Sequence, residues 1–340
     1  MTPSACVLAL DVGGTNLRLA VVDEAGKIHA RHAIQASLST LADGIPSEAA
    51  QAEMLETLTD AIRRMIDGHP DVRAVGIGFP GFFRGNSGTL ITSPNLPYLH
   101  DLSLARTLSE RLRLPVVAQN DGLAAALGEF RFGTGRGAES LIHLTLGTGI
   151  GGGLILNGVP YAGEGGMAME IGHLRVVPNG RLCGCGAKGC LEAYASARAV
   201  AARYREEHGG DVEDAATVQR LARQGDVTAT RLLHEAGDYL GRAVAETAKL
   251  LDVHHVSISG GMTAAWEELL PPMRTAVERE VIPPLRGMVE ICRSGLADDA
   301  GLLGAASLAL LLERYGPDGP NRHESIFQSI NEGETWRREV

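Results

Sequence analysis

An apolar strand that runs into a glycine-rich turn and leaves it as a second apolar strand occurs twice in this chain, which narrows what it can fold into. Residues 7–24 lie over residues 141–158 at a constant offset of 134 residues. In each copy a strand (Val7-Leu8-Ala9-Leu10, then Leu141-Ile142-His143-Leu144) meets small residues (Gly13-Gly14-Thr15, then Gly147-Thr148-Gly149), and a second strand ends at a turn signal, Asp23 or Asn157. Paired glycines let backbone N–H groups approach an anion without Cβ interference. Each loop opens one half of the chain, so the economical architecture is α/β, with two lobes facing each other across a cleft and each lending one loop. The expected division is residues 1–121 plus about 300–340 as a smaller N-terminal lobe and residues 122–299 as the larger one.

Composition agrees with two domains: 340 residues, 44% hydrophobic and 21% charged, can bury a large core. Lys and Arg total 31 against 41 Asp and Glu, a formal charge of −10, and no basic run is long enough to track a phosphate backbone. Nucleic acid is therefore not expected as a partner. No secretory signal is read, because Val7-Leu8-Ala9-Leu10 is followed at once by Asp11. The most apolar stretch, 302–312, spans 11 residues between charged flanks, short of the roughly 20 that cross a bilayer. No membrane partner is expected, and the location is read as cytoplasmic. Segment 316–340, polar and rich in Gly, Pro, Asn and Glu, reads as a peripheral or partly disordered arm.

Helical spacing is read over 54–66, 102–112, 193–207, 215–223, 229–251 and 302–313, and buried strands over 72–79, 116–118 and 256–259. These strands lead into Pro80-Gly81, Asn120-Asp121 and Gly260-Gly261 respectively.

Chemistry concentrates at the strand ends. Asp11-Val12-Gly13-Gly14-Thr15-Asn16 places an acid two residues before the glycines, where it can hold Mg²⁺ directly or through water beside a triphosphate. One such loop reads equally well as a tight turn; its repetition at Gly147-Thr148-Gly149 favours phosphate, clamped from two sides. His173, Cys183, Cys185 and Cys190 carry the spacing His-x9-Cys-x1-Cys-x4-Cys, with Gly180, Gly184, Gly186 and Gly189 letting the chain wrap a small ion. Four N/S ligands leave no open position, so a zinc ion there is structural rather than hydrolytic. The other two cysteines, Cys6 and Cys292, sit in strand-like contexts and read as core residues. Glu170 and Glu192 flank the cysteine knuckle, and with Asn120 and Asp121 they form a polar set suited to vicinal hydroxyls.

These motifs together resemble the ROK family of sugar kinases and sugar-responsive repressors, within the actin and hexokinase nucleotide-binding superfamily. The resemblance spans roughly residues 7–312. It rests on both glycine loops, Gly78-Phe79-Pro80-Gly81, Asn120-Asp121, Glu170-Ile171-Gly172-His173 and Cys183-Gly184-Cys185-Gly186-Ala187-Lys188-Gly189-Cys190-Leu191-Glu192. It implies two actin-like (ribonuclease H-like) lobes around a central cleft, with a small zinc knuckle. It further implies Asp121 as the general base, with Gly81, Asn120, Glu170, His173 and Glu192 around the sugar. Asp11, Gly13, Gly14, Thr15, Asn16, Gly147, Thr148 and Gly149 would face ATP and Mg²⁺, with Gly260 and Gly261 on the adenosine side. Zinc on one imidazole nitrogen of His173 would leave the other as a donor to a sugar hydroxyl, while the simpler role of a zinc ligand alone stays open. A homodimer or higher homo-oligomer is also implied.

The family's repressors carry a DNA-binding domain ahead of the first loop, and ten residues before Asp11 leave no room for one. The reading is therefore an ATP-dependent hexose kinase acting on glucose, with an N-acetylhexosamine kinase or fructokinase as the alternative and a non-catalytic sugar sensor third. Three departures from the family pattern fall on the sugar side: Phe82-Phe83-Arg84 after Pro80-Gly81, Gly122-Leu123 after the Asn-Asp pair, and Met169 where a glycine usually precedes the glutamate.

Overall fold

The computed structural model describes residues 6–85, 87–209 and 212–315; the expectation for 316–340 lies outside them. The chain forms two compact units. One comprises the described residues up to 136, Ile155–Ala168 and the chain from Asp298 onward, and the other Gly137–Leu154 with Met169–Ala297. The first unit thus extends past residue 121, where the sequence suggested a boundary, and regains a segment after Leu154.

In the first unit, β1 (Cys6–Val12), β2 (Asn16–Asp23) and β3 (Ile28–Gln35) form an antiparallel meander. Helix α1 (Ser47–Asp67) then leads to β4 (Val72–Phe79), which pairs parallel with β1. A small sheet of β5 (Phe82–Phe83), β6 (Leu90–Thr92) and β7 (His100–Leu102) follows, and then α2 (Leu104–Leu112), β8 (Val116–Asn120) and α3 (Asp121–Phe132). The main sheet runs β3-β2-β1-β4-β8. Strand alternation divides its side chains between two faces. Leu8, Leu10 and Val12 join one core with Met54, Leu58 and Ile62 of α1 and with Leu104 and Leu108 of α2. The other face is covered by the C-terminal helix of the described chain, Ala300–Tyr315, which packs on β1, β4 and α3. Small residues admit it: a methyl group on Gly76 would lie 1.8 Å from the Ala305 carbonyl oxygen.

The second unit repeats the plan. Strands β9 (Leu141–Leu146) and β10 (Ile150–Leu156) flank the second glycine loop, and β10 carries the chain into β11 (Val159–Pro160), within the segment returned to the first unit. The knuckle, α4 (Glu192–Ala195), α5 (Ala197–His208), α6 (Ala215–Arg223) and α7 (Val227–Leu251) precede β12 (His255–Ser259). Helix α8 (Trp266–Glu280) and β13 (Glu290–Arg293) follow, and Ala300–Tyr315 is α9. This sheet runs β11-β10-β9-β12-β13, with β9, β12 and β13 parallel. Each sheet therefore reads third, second, first, fourth, fifth strand.

Several details depart from the sequence reading. The helix expected over 193–207 breaks at Ser196, whose hydroxyl caps α5 by accepting the Ala199 N–H at 3.1 Å. Helix α8 was not anticipated, because it contains Pro271 and Pro272. Cys6 is buried as expected, but Cys292 is exposed: it lies on β13, the edge strand of its sheet. Among the described residues no helix is long and apolar enough to cross a membrane.

Candidate active site

In the first unit the parallel register brings the candidate residues to the carboxyl ends of β1, β4 and β8, the usual ligand edge of such sheets. Asp11 pairs with Gly78, and Phe79 with Asn120. A methyl group on Gly78 would lie 3.8 Å from both Asp11 Oδ1 and the Asp121 Cα, so the two aspartates flank this glycine. A methyl group on Gly301, in the first turn of α9, would lie 3.2 Å from Asp11 Oδ1, so that carboxylate faces the start of α9. Asp121 itself opens α3, and its Oδ1 accepts the Gly122 N–H at 2.9 Å. Both acids therefore sit at helix N-termini, where the aligned peptide dipoles favour negative charge.

Asn120 is the cap of α3. Its Oδ1 accepts the Leu123 N–H at 3.1 Å, and its Nδ2 donates to the Gly81 carbonyl at 3.1 Å. One acceptor and one donor site of the amide are thus used by the protein, leaving one of each for a ligand. Gly81 has a φ of +147°, and a methyl group there would lie 2.7 Å from Leu90 Cδ1 and from the Thr92 carbonyl oxygen. Of the Phe82-Phe83-Arg84 departure, Phe83 is buried in an edge-to-face contact with Phe79, and Arg84 pairs with Asp101 at 2.9 Å. The first loop is tied down from behind by Gly13 N–H to the Asn16 carbonyl (2.8 Å) and Ser39 N–H to the Gly14 carbonyl (3.0 Å), while Thr15 and Asn16 are exposed.

The sequence reading did not single out Arg18. Its Nε donates to Asp11 Oδ2 at 3.0 Å, its Nη2 contacts the same oxygen, and its Nη1 donates to the Asp298 carbonyl at 2.8 Å. The signal was available in the hairpin: with Val12 opposite Leu17, the residue facing Asp11 is Arg18.

In the second unit the pairing of β9 with β12 brings the other loops together. Ser259 pairs with Thr145, and a methyl group on Gly260 (φ +93°) would lie 2.3 Å from the Leu146 carbonyl oxygen. Gly260-Gly261 thus abuts the start of Gly147-Thr148-Gly149, in which Thr148 is exposed. The Gly147 carbonyl accepts the Ala197 N–H at 2.9 Å, and the Ile150 N–H donates to Glu192 Oε2 at 3.0 Å.

His173, Cys183, Cys185 and Cys190 converge, their ligand atoms all within 4.8 Å of one another. Cys185 Sγ and Cys190 Sγ are 3.7 Å apart, as are Cys183 Sγ and His173 Nδ1. A tetrahedral zinc with Zn–S of about 2.3 Å and Zn–N of about 2.05 Å has S···S and S···N edges of about 3.8 and 3.6 Å, so the donor set fits a closed zinc site. His173 turns Nδ1 to the cysteines, and its Nε2 lies 3.7 Å from Glu170 Oε2. Burial raises the Glu170 pKa; His173 opposes the shift and the Glu192 charge adds to it. Met169, just before Glu170, has a φ of +66°, a left-handed conformation that a non-glycine residue rarely adopts.

The model of the ROK family matches residues 7–311. A glucokinase of Thermotoga maritima is 36% identical over 327 residues, covering 92% of this chain and 99% of that protein. An N-acetylmannosamine kinase of Escherichia coli is 34% identical over 303 residues, covering 89% and 97%. The crystal structure of a ROK family glucokinase from Streptomyces griseus, in complex with glucose and AMPPNP, is similar with a TM-score of 0.75 at 35% identity, covering 92% of this chain and all of that one.

Proposed function

Since the chain belongs to the ROK family, we propose that it is an ATP-dependent hexose kinase that transfers the γ-phosphoryl group of ATP to a hydroxyl of glucose. The observation that carries the reading is the meeting of Asp11, Gly78 and Asp121 at one sheet edge, in a chain whose relatives include glucokinases at 36% identity.

Asp121 takes the proton of the attacking hydroxyl as general base. Its place at the start of α3, with Oδ1 held by the Gly122 N–H, fixes the carboxylate at the sheet edge. Asn120, with its remaining donor and acceptor, Glu170 and the backbone around Gly81 bind ring hydroxyls. The N–H groups of Gly14, Thr15 and Asn16 and those of Thr148 and Gly149 donate to phosphate oxygens, the Gly13 and Gly147 N–H groups being used to close their own loops, and Gly260-Gly261 borders the adenosine. A hard carboxylate oxygen suits Mg²⁺, which keeps most of its waters, so Asp11 would hold that ion directly or through water. Mg²⁺ supplies neutralisation of the charge spread over the transferring group. Catalysis is then mostly positioning and charge stabilisation. His173, Cys183, Cys185 and Cys190 would hold a zinc ion, which would order the knuckle next to Glu170 and Glu192.

The test is a panel of hexoses with ATP, read by coupled ADP release. Glucose is expected to give the highest kcat/KM. Preference for N-acetylmannosamine would move the protein to the alternative substrate class. No sugar-dependent ADP release with any hexose, despite sugar binding, would leave a sensor.

A further inference from the structure

Glu192 lies between two parts of the proposed site. It is the first residue of α4, two positions after the knuckle residue Cys190. Its carboxylate is mostly buried, and the two oxygens face different ways. Oε2 accepts the Ile150 N–H at 3.0 Å, immediately after the second glycine loop, while Oε1 lies 4.0 Å from Cys183 Sγ and 3.9 Å from Arg198 Nη2. The loop is shaped around this carboxylate: a methyl group on Gly149 would lie 2.4 Å from Oε2. The same corner ties down the other end of the loop, where the Ala197 N–H reaches the Gly147 carbonyl.

We infer that Glu192 is a positioning residue for the nucleotide: it fixes the second glycine loop to the cysteine knuckle, so that knuckle and loop move as one piece. The inference rests on the kinase reading above, in which that loop receives phosphate, and it goes beyond a sugar-binding role. A loop with free N–H groups must be ordered when phosphate arrives, and that cost weakens binding unless it has been met beforehand. The charge-assisted bond from Ile150 to Glu192 meets it in advance. Because the second oxygen faces away from the loop, a hydroxyl bound there and a nucleotide bound at the loop would share one carboxylate. The same linkage would then make sugar and nucleotide raise each other's affinity equally.

The experiment titrates a non-hydrolysable ATP analogue into the zinc-loaded protein without sugar, using the parent, Glu192→Ala, Glu192→Gln and Glu192→Asp. Loss of one charge-assisted hydrogen bond predicts that Glu192→Ala weakens analogue binding about tenfold. Glu192→Gln, which keeps an acceptor oxygen but loses the charge, is expected to weaken binding by about threefold, less than the alanine variant. Glu192→Asp keeps the charge beside Cys183 but withdraws it from Ile150 by one methylene, so it should behave like the alanine variant and serves if that variant does not fold. Analogue binding at parental strength in folded Glu192→Ala or Glu192→Asp, with only sugar KM raised, would overturn the inference. Absence of analogue binding by the parent would instead remove the kinase reading beneath it.

Discussion

An aspartate that takes a proton from a hydroxyl must keep an acceptor oxygen turned toward its ligand, and in Asp121, the proposed base, Oδ1 is fixed by the Gly122 N–H at the start of α3. Replacing it with Asn preserves shape and removes the proton acceptor. Asp121→Asn is expected to lower kcat by about 10²- to 10⁴-fold with a much smaller change in sugar affinity; near-parental kcat in the folded variant would place the base elsewhere. Met169 offers a test of strain. A non-glycine residue in an unfavourable backbone region costs about 1–3 kcal/mol, and glycine gives back about 0.5–1 kcal/mol through the freedom it loses on folding. Met169→Gly should therefore stabilise by about 1 kcal/mol and raise Tm by roughly 2 °C. An unchanged or lower Tm would show that the methionine side chain compensates by packing. This position was visible in the sequence as a departure from the family's glycine, whereas its φ of +66° was not. The Arg18 pairing was hidden differently, since strand register had to be worked out before a residue seven positions away became the neighbour of Asp11.

At the scale of elements, α3 and α9 meet with almost no side chain between them. A methyl group on Gly304 would lie 1.7 Å from the Ala124 carbonyl oxygen, and one on Gly128 would lie 2.2 Å from that of Ala300. Because α3 begins with Asp121 and the first turn of α9 faces Asp11, forcing these helices apart moves both acids. Gly304→Ala should cost roughly 3 kcal/mol, at the upper end for overpacking. It should also lower kcat, and a stable, fully active variant would show that the crossing relaxes freely. Helix α7 carries a charged cap: Asp226 Oδ1 accepts the Ala229 N–H at 2.7 Å, and Tyr204 donates to Oδ2 at 2.9 Å. These bonds lower the Asp226 pKa, the Ala229 N–H most strongly. A carboxyl group lowered on folding stabilises the fold above its unfolded value of about 3.9 and loses that contribution as pH falls through the folded value. Asp226→Asn keeps a capping side chain without the charge, so its Tm deficit should be largest near neutrality and shrink toward pH 3. A deficit independent of pH would remove the electrostatic account. Helices α6 and α7 were legible from periodicity because each shows one apolar face. Strands β3 and β13 and helix α8 were not, because β3 is mostly exposed, β13 is a short edge strand and α8 holds two prolines.

Across the whole molecule the duplication is plainer in the sheets than in the sequence. Both sheets share one strand order, yet only the glycine hairpins keep the 134-residue offset. In the second half the knuckle and four helices stand between the third and fourth strands of the sheet, where the first half has α1, so the later strands fall out of register. The chemistry is unequal too: the residue matching Asp11 is Thr145, so the carboxylate proposed for Mg²⁺ has no counterpart at that position in the second half. The four residues proposed to hold zinc, His173, Cys183, Cys185 and Cys190, stand in the second. All four lie within Met169–Ala297, whereas the first unit has a core of its own around β1, β4 and α1. A closed four-ligand site contributes folding free energy directly. Freshly purified, reduced protein should therefore hold about one zinc per chain. Chelation or Cys185→Ser should lower Tm and activity together. Hydrogen exchange should locate the loss, with protection falling first in β9, β10 and α4 through α7 while β1, β2 and β4 keep theirs. Equal loss in both units would mean that the molecule unfolds as one cooperative body. Parental protection and Tm after complete zinc removal would mean that the four side chains meet for a reason other than metal.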